Sequence, residues 1–183
     1  MTAVLRLERV FAQCFRDSHN TVLRGGAEEP LYQPARSTKQ QHQIFYRDDY
    51  FASALHEVAH WCIAGAERRL LPDYGYWYQP DGRSGRQQQE FEAVEALPQA
   101  LEWHFSLACA HDFHISADNL TGEAMDADSF KRQVMGHAQR LCGQDLGPRA
   151  GIFRTALAAE FGGIGAPRLE LFEFSRNNSR RCL

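Results

Sequence analysis

Two histidines four residues apart, with a glutamate beside the first, constrain this chain more than any other feature. His56-Glu57-Val58-Ala59-His60 is an HExxH string inside an apolar run. On a helix, positions four apart share one face, so both imidazoles can point at a single ion. Glu57 stands next to them, where a carboxylate can handle protons or hold a metal-bound water. The spacing therefore predicts a helix from about Tyr50 to Ala64, with the apolar stripe Phe51, Leu55, Val58, Ala59 and Cys62. His56 and His60 fall at the border of that stripe, as a site between packed elements requires. Asp48 and Asp49 are the N-capping candidates, and Gly65 is the C-terminal stop.

Two imidazoles leave a metal site incomplete, because a catalytic ion takes three protein ligands and keeps an open position. The next long helix, from about Gln87 to Ala110, offers Glu92 and Glu95 three residues apart on one face. Glu95 is favoured as the third ligand because the apolar run Ala96, Leu97, Ala100, Leu101 begins beside it. Glu92 is the close alternative, and His104, beyond Pro98, is a weaker candidate. An HExxH string can also be a solvated helix face with no metal. The apolar setting, the preceding strand and the downstream glutamates argue against that here. His104, His111 and His114 read as ordinary helix-end or surface histidines. Glu102 and Trp103 read as packing and solvating residues of the second helix.

The remaining elements follow from periodicity and breakers. Val4, Leu7, Phe11, Cys14 and Phe15 recur at helical spacing in an N-terminal amphipathic helix, which is not a signal peptide. Arg24 to Ser37 reads as a loop with a short strand at Leu31-Tyr32, and Ile44-Phe45-Tyr46 reads as a strand. Leu70 to Arg86 is a long connection carrying Tyr74, Tyr76, Trp77 and Tyr78, with a short strand near Tyr76-Tyr78. Pro98 predicts a kink or a restart. Phe113 to Asp126 is irregular, two helices follow near Asp128–Cys142 and Gly151–Phe161, and the tail 175–183 is polar. The expected fold class is α+β, mainly helical with a small sheet, in one domain over 1–183.

Composition excludes several function classes. At 183 residues the chain is long enough to bury a sizeable core without disulfides. A net charge of −3 gives no sign of general nucleic-acid affinity. The five cysteines are odd in number and form no C-x-x-C, which suits reduced thiols in a cytosol. No stretch approaches the roughly 18 apolar residues of a membrane span.

The donor set alone allows two chemistries. With zinc, Glu57 would take a proton from a metal-bound water attacking an amide, the peptidase reading. Two histidines and one carboxylate with open positions is also the set of non-haem iron oxygenases. A metal-free interaction protein is a third reading.

Three ordered blocks narrow the choice. They are Phe51 to Gly65, Asp73 to Arg83, and Phe91 to Glu95 followed by Pro98 to Trp103. Together they resemble the signature of the bacterial elongation factor P hydroxylases, and the likeness extends weakly from the first helix to about Leu120. The resemblance implies a fold like that of the helix-based HExxH metallopeptidases. It implies hydroxylation of the β-lysylated lysine of elongation factor P, with iron as the metal and dioxygen as co-substrate. His56, His60 and a glutamate of the third block would hold the metal. Glu57 would tune metal-bound water or guide protons, and Tyr74, Tyr76 and Trp77 would receive the cationic modified lysine. Such an enzyme also needs a surface to grip a whole protein, expected to include arginines that the sequence does not single out.

Overall fold

The computed structural model describes residues 1–75, 85–116 and 127–174, with the backbone alone at 74, 75, 85–89 and 127. Helix α1 (Ala3–His19) starts where Thr2 Oγ1 accepts the Leu5 N–H and ends where Asn20 turns left-handed. Its buried stripe is Val4, Leu7, Val10, Phe11 and Phe15, spaced as the sequence predicts. Three strands follow: β1 (Thr21–Ala27), β2 (Leu31–Gln33) and β3 (His42–Arg47). They form one sheet in the order β1-β3-β2, with β1 parallel and β2 antiparallel to the central β3.

β1 corrects the sequence reading, which places Arg24 to Ser37 in a loop. Gly25 and Gly26 suggest a turn, yet Gly25 is there because the strand packs hard on β3. A Cβ at Gly25 would lie 2.7 Å from the Tyr46 ring and 2.8 Å from the Asp48 carbonyl. Gly26 takes φ +87 at the irregularity between Arg24 and Ala27, where only glycine is at ease.

Helix α2 (Phe51–Ile63) carries the HExxH string, as predicted, but neither aspartate caps it. The N-cap is Tyr50, without a side-chain bond. Ser53 Oγ instead reaches back to accept the Arg47 N–H at 3.1 Å. Asp48 sits at φ 45 and is tied through its backbone to Ala27 and Gly26. Its task is the turn between β3 and α2, which the capping rule does not anticipate.

Three more helices complete the described residues: α3 (Gly85–Ala108), α4 (Ala127–Leu141) and α5 (Gly147–Phe161). α3 runs on through Pro98 without a restart. α5 begins a turn earlier than predicted, with Pro148 in its first turn where the missing N–H costs nothing. The fold class is α+β and mainly helical. The strand expected near Tyr76-Tyr78 and the polar tail 175–183 lie outside the described residues.

The packing fixes α3 from two sides. One apolar cluster joins α1 (Leu7, Phe11, Phe15), the inner sheet face (Leu23, Ile44, Tyr46), α2 (Leu55, Trp61), α3 (Leu101, Phe105) and α5 (Phe153). Phe11, Phe15, Trp61, Phe105 and Phe153 pack ring on ring, mostly edge-on or tilted. A second cluster joins the opposite side of α3 (Ala96, Ala100, Trp103) to α4 (Phe130, Val134) and Phe172. α3 is thus held between both clusters, and the carboxylates it carries cannot drift.

His104, expected at a helix end or surface, is fully buried between α3, α4 and α5. Its Nε2 donates to the Ala138 carbonyl at 2.9 Å, Nδ1 faces Arg154 Nη1 at 3.4 Å, and Phe172 lies on the ring. Burial, reinforced by Arg154 and opposed by the Ala138 carbonyl, lowers its pKa to about 4. The unfolded chain binds that proton near 6.5, so between these values the unfolded state holds more protons and stability falls as pH falls. At pH 4.5 His104 should cost roughly 2–3 kcal/mol relative to neutral pH. Urea titrations at both pH values will measure this. His104→Gln should show a shallower loss on acidification than the parent; an identical slope would refute the assignment.

Candidate metal centre

His56 and His60 project from successive turns of α2 toward α3, and α3 answers with Glu95. His56 Nε2 and His60 Nε2 lie 3.0 Å apart. Glu95 Oε2 is 3.4 Å from His56 Nε2, and Glu95 Oε1 is 3.3 Å from His60 Nε2. Metal–ligand bonds of about 2.0–2.2 Å put two donors on one ion roughly 3.0–3.5 Å apart, so this trio has the spacing of ligands converging on one cation. Among the described residues it is the one His/Cys/Asp/Glu group close enough to hold an ion. Glu92, the alternative third ligand, is not part of it.

A fourth group completes the contact between the helices. Glu102 Oε2 accepts the His56 Nδ1–H at 2.9 Å. Its side chain is 7 % exposed, so Glu102 does not solvate α3 as the sequence reading has it. The signal for it was present: Glu102 follows Glu95 by seven residues, two helical turns, on the same face.

The charges are strongly coupled. Burial opposes a charged His56, but the hydrogen bonds and charges of Glu102 and Glu95 outweigh it and hold the imidazole pKa well above its ordinary value. Burial likewise opposes an ionised Glu95. The hydrogen bonds and charges of His56 and His60 overcome that and hold the carboxyl far below its usual range. Glu57 moves the other way. Burial raises its pKa, Glu95 and Asp73 push in the same direction, and the two histidines pull against them. The centre thus sets two neighbouring carboxyl groups apart, Glu95 shifted down and Glu57 shifted up.

The end of α2 is clamped. Arg149 Nη2 from α5 donates to the carbonyls of Cys62 and Ala64, and Arg69 Nη1 donates to Ala64 as well. The Arg149 guanidinium also lies over the Trp61 ring, 5.0 Å from its centroid. Carbonyls at a helix end lack intrahelical partners and carry partial negative charge, so guanidinium groups suit them. The clamp fixes the turn that bears His60.

The other named residues fall as follows. Asp73 accepts the Tyr32 N–H through Oδ1 at 3.2 Å. Tyr74 belongs to the short 3-10 turn Pro72–Gly75, with its backbone alone described. Tyr76 and Trp77 lie outside the described residues. His111 stacks on Phe51 at the start of α2 and is not part of the trio.

The sequence model of a family described as elongation factor P hydroxylase matches residues 10–171. A curated protein of Haemophilus influenzae, elongation factor P lysine hydroxylase, is 45% identical over 150 residues, covering 82% of this chain and 84% of that protein. All four groups of the centre fall within the matched range.

The geometry distinguishes the two glutamates experimentally. Glu95→Gln should lose more metal affinity than the roughly 10–100-fold that removal of an outer partner costs, while Glu92→Gln should keep full occupancy. Elemental analysis and competition titration of the purified variants measure both. Full occupancy in Glu95→Gln would exclude it as a ligand.

Proposed function

We propose a function from one premise: the chain belongs to the elongation factor P hydroxylase family. It is a hydroxylase that adds a hydroxyl group to a lysine of elongation factor P. The family match across the segment that brings His56, His60 and Glu95 together carries this reading. The substrate lysine is proposed to be the β-lysylated one, the metal Fe(2+), and the co-substrate dioxygen. A translation factor as substrate puts the reaction in the cytoplasm. No helix among the described residues is long and apolar enough to cross a membrane.

His56, His60 and Glu95 are the proposed metal ligands. Three protein ligands leave open positions, and an ion bound there supplies the activation of dioxygen. One oxygen atom ends in the new C–OH group. The other leaves as water, which requires two electrons and two protons from a reductant. The chain's own residues do the rest. Glu102 holds His56 by Nδ1, which leaves Nε2 toward His60 and Glu95, where it would hold an ion. Glu57, whose pKa burial raises, stands beside the ligands where it can take up or release a proton. Glu57, Glu95, Glu102 and Asp73 concentrate acidic groups where a cationic lysine side chain must enter. Tyr74, Tyr76 and Trp77, next in the chain after Asp73, are assigned the aromatic faces that receive that cation. Zinc peptidase chemistry would use the same HExxH string, but neither the family nor the cationic substrate calls for it.

Two experiments test these assignments. Modified elongation factor P incubated with iron-loaded enzyme, oxygen and a reductant should gain one oxygen atom on the lysine-bearing peptide, read by mass spectrometry, and His56→Ala should abolish the gain. A protein that retains only zinc, cleaves peptides and never oxidises the factor would sink the reading. Glu102→Gln should keep a hydrogen-bond acceptor but lose the charge, weakening metal binding by roughly 10–100-fold; Glu102→Ala should weaken it further. Equal affinity in all three proteins would remove Glu102 from the centre.

A further inference from the structure

We propose that a groove on the outer face of the sheet docks an acidic segment of the protein substrate. The inference rests on the hydroxylase reading, since an enzyme acting on a side chain of a folded protein must grip that protein beyond the reacting group. The groove encloses about 290 Å³ and is lined by Arg24, Gln33, Arg36, Lys39, Gln41 and Gln43, with Pro34 and Gln40 beside them. No carboxylate lines it.

Several cations elsewhere in the chain are engaged. Arg6 and Arg9 share Glu160, Arg47 meets Asp48 and Lys131 meets Asp128. Arg69 and Arg149 are spent on the carbonyls that end α2. Arg24, Arg36 and Lys39 are exposed, and among the described residues none forms an ion pair. A protein of net charge −3 therefore leaves three cations without acidic partners around one concavity.

The groove is also built. The segment between β2 and β3 is tied to the rest of the sheet. Ala35 N–H donates to His42 Nδ1 at 3.0 Å, Arg36 N–H to Gln40 Oε1 at 3.1 Å, and Asn20 Nδ2 to the Gln40 carbonyl at 2.8 Å. Cations fixed on a pinned backbone have already met part of the ordering cost of binding.

The groove shares its strand with a residue bonded to the loop after α2. Gln33 lines it, while its neighbour Tyr32 donates its N–H to Asp73. An interface of ordinary size, about 800 Å² per partner, can cover both sides of so short a strand. The chemistry favours a peptide over a nucleic acid. Glutamine amides both donate and accept, as a peptide backbone requires, whereas nucleic-acid faces are far more cationic than three side chains.

The test is charge reversal with a matched control. Arg24→Glu combined with Lys39→Glu should raise KM for modified elongation factor P by about tenfold or more, flatten its salt dependence, and leave kcat at saturating factor within about twofold. Metal content and thermal stability should not change. Arg36→Gln, a milder change, should raise KM in the same direction. Arg168→Glu, which reverses an exposed charge on another part of the surface, should do neither. Unchanged KM in the groove variants, or an equal rise in Arg168→Glu, overturns the proposal. So does a single-stranded RNA that binds the parent but not the variant while KM for the factor stays constant. Calorimetry of the iron-loaded enzyme with the factor, without oxygen, separates the two readings. If the factor binds but is never oxidised, the hydroxylase reading fails, and the docking proposal still stands or falls by the variant's Kd.

Discussion

The structure turns on the grip of α3 on one imidazole. His56 is held at both ring nitrogens by carboxylates two turns apart on the same helix, Glu102 at Nδ1 and Glu95 at Nε2. Burying two carboxylates is unfavourable by several kcal/mol each unless positive charge comes with them. The two carboxylates hold the His56 imidazole pKa well above its ordinary value, which favours a positive charge between them. An ion held by the same trio would take its place. The two helices are therefore bound to each other by a requirement for a cation at their interface, whichever cation supplies it.

That requirement sets a demand on the rest of the fold. Carboxylates that must meet two histidines of another helix need a helix that resists rotation and sliding. α3 meets the demand by packing on both sides, with Leu101 and Phe105 in one apolar cluster and Ala96, Ala100 and Trp103 in the other. α2 meets it differently. Its start lacks a side-chain cap, and its end carries the load: Arg149 and Arg69 hold the last carbonyls, and Arg149 covers Trp61, whose ring sits against Phe11 and Phe15. The histidine nearest that clamp, His60, belongs to the helix's last turn.

Legibility in the sequence followed the range of the interactions. The helix bearing His56 and His60, the stripe of α1 and the strand at Ile44 to Tyr46 were readable because period and burial coincide within a few residues. Glu95 was readable because an apolar run starts beside it. β1 was hidden because its glycines answer to Tyr46, some twenty residues away, and local rules give glycine pairs to turns. Asp48 was misread for the same reason: the turn it makes is fixed by Ala27 and Gly26, not by the helix after it. Glu102 sat among packing residues and looked like a solvating charge. Only its partner on another helix reveals its place, and the seven-residue interval from Glu95 becomes meaningful once one face of α3 is known to meet α2.

The HExxH string fixes less chemistry than its reputation suggests. It provides two ligands and a neighbouring carboxyl, and zinc hydrolases and iron oxygenases both accept that set. What differs is the use made of the carboxyl. Hydrolysis needs Glu57 ionised, ready to take a proton from water. Here burial, Glu95 and Asp73 raise its pKa, and the nearby histidines only partly offset them. An ion at the trio would lower it again, so the balance belongs to the loaded site. A carboxylate with a raised pKa is also a stronger base, so Glu57 can serve either chemistry. Glu102 and Asp73 add carboxyl groups beyond the trio, and a cationic lysine side chain is the guest that the proposed function brings to them. The residues around the motif, rather than the motif, carry the specificity.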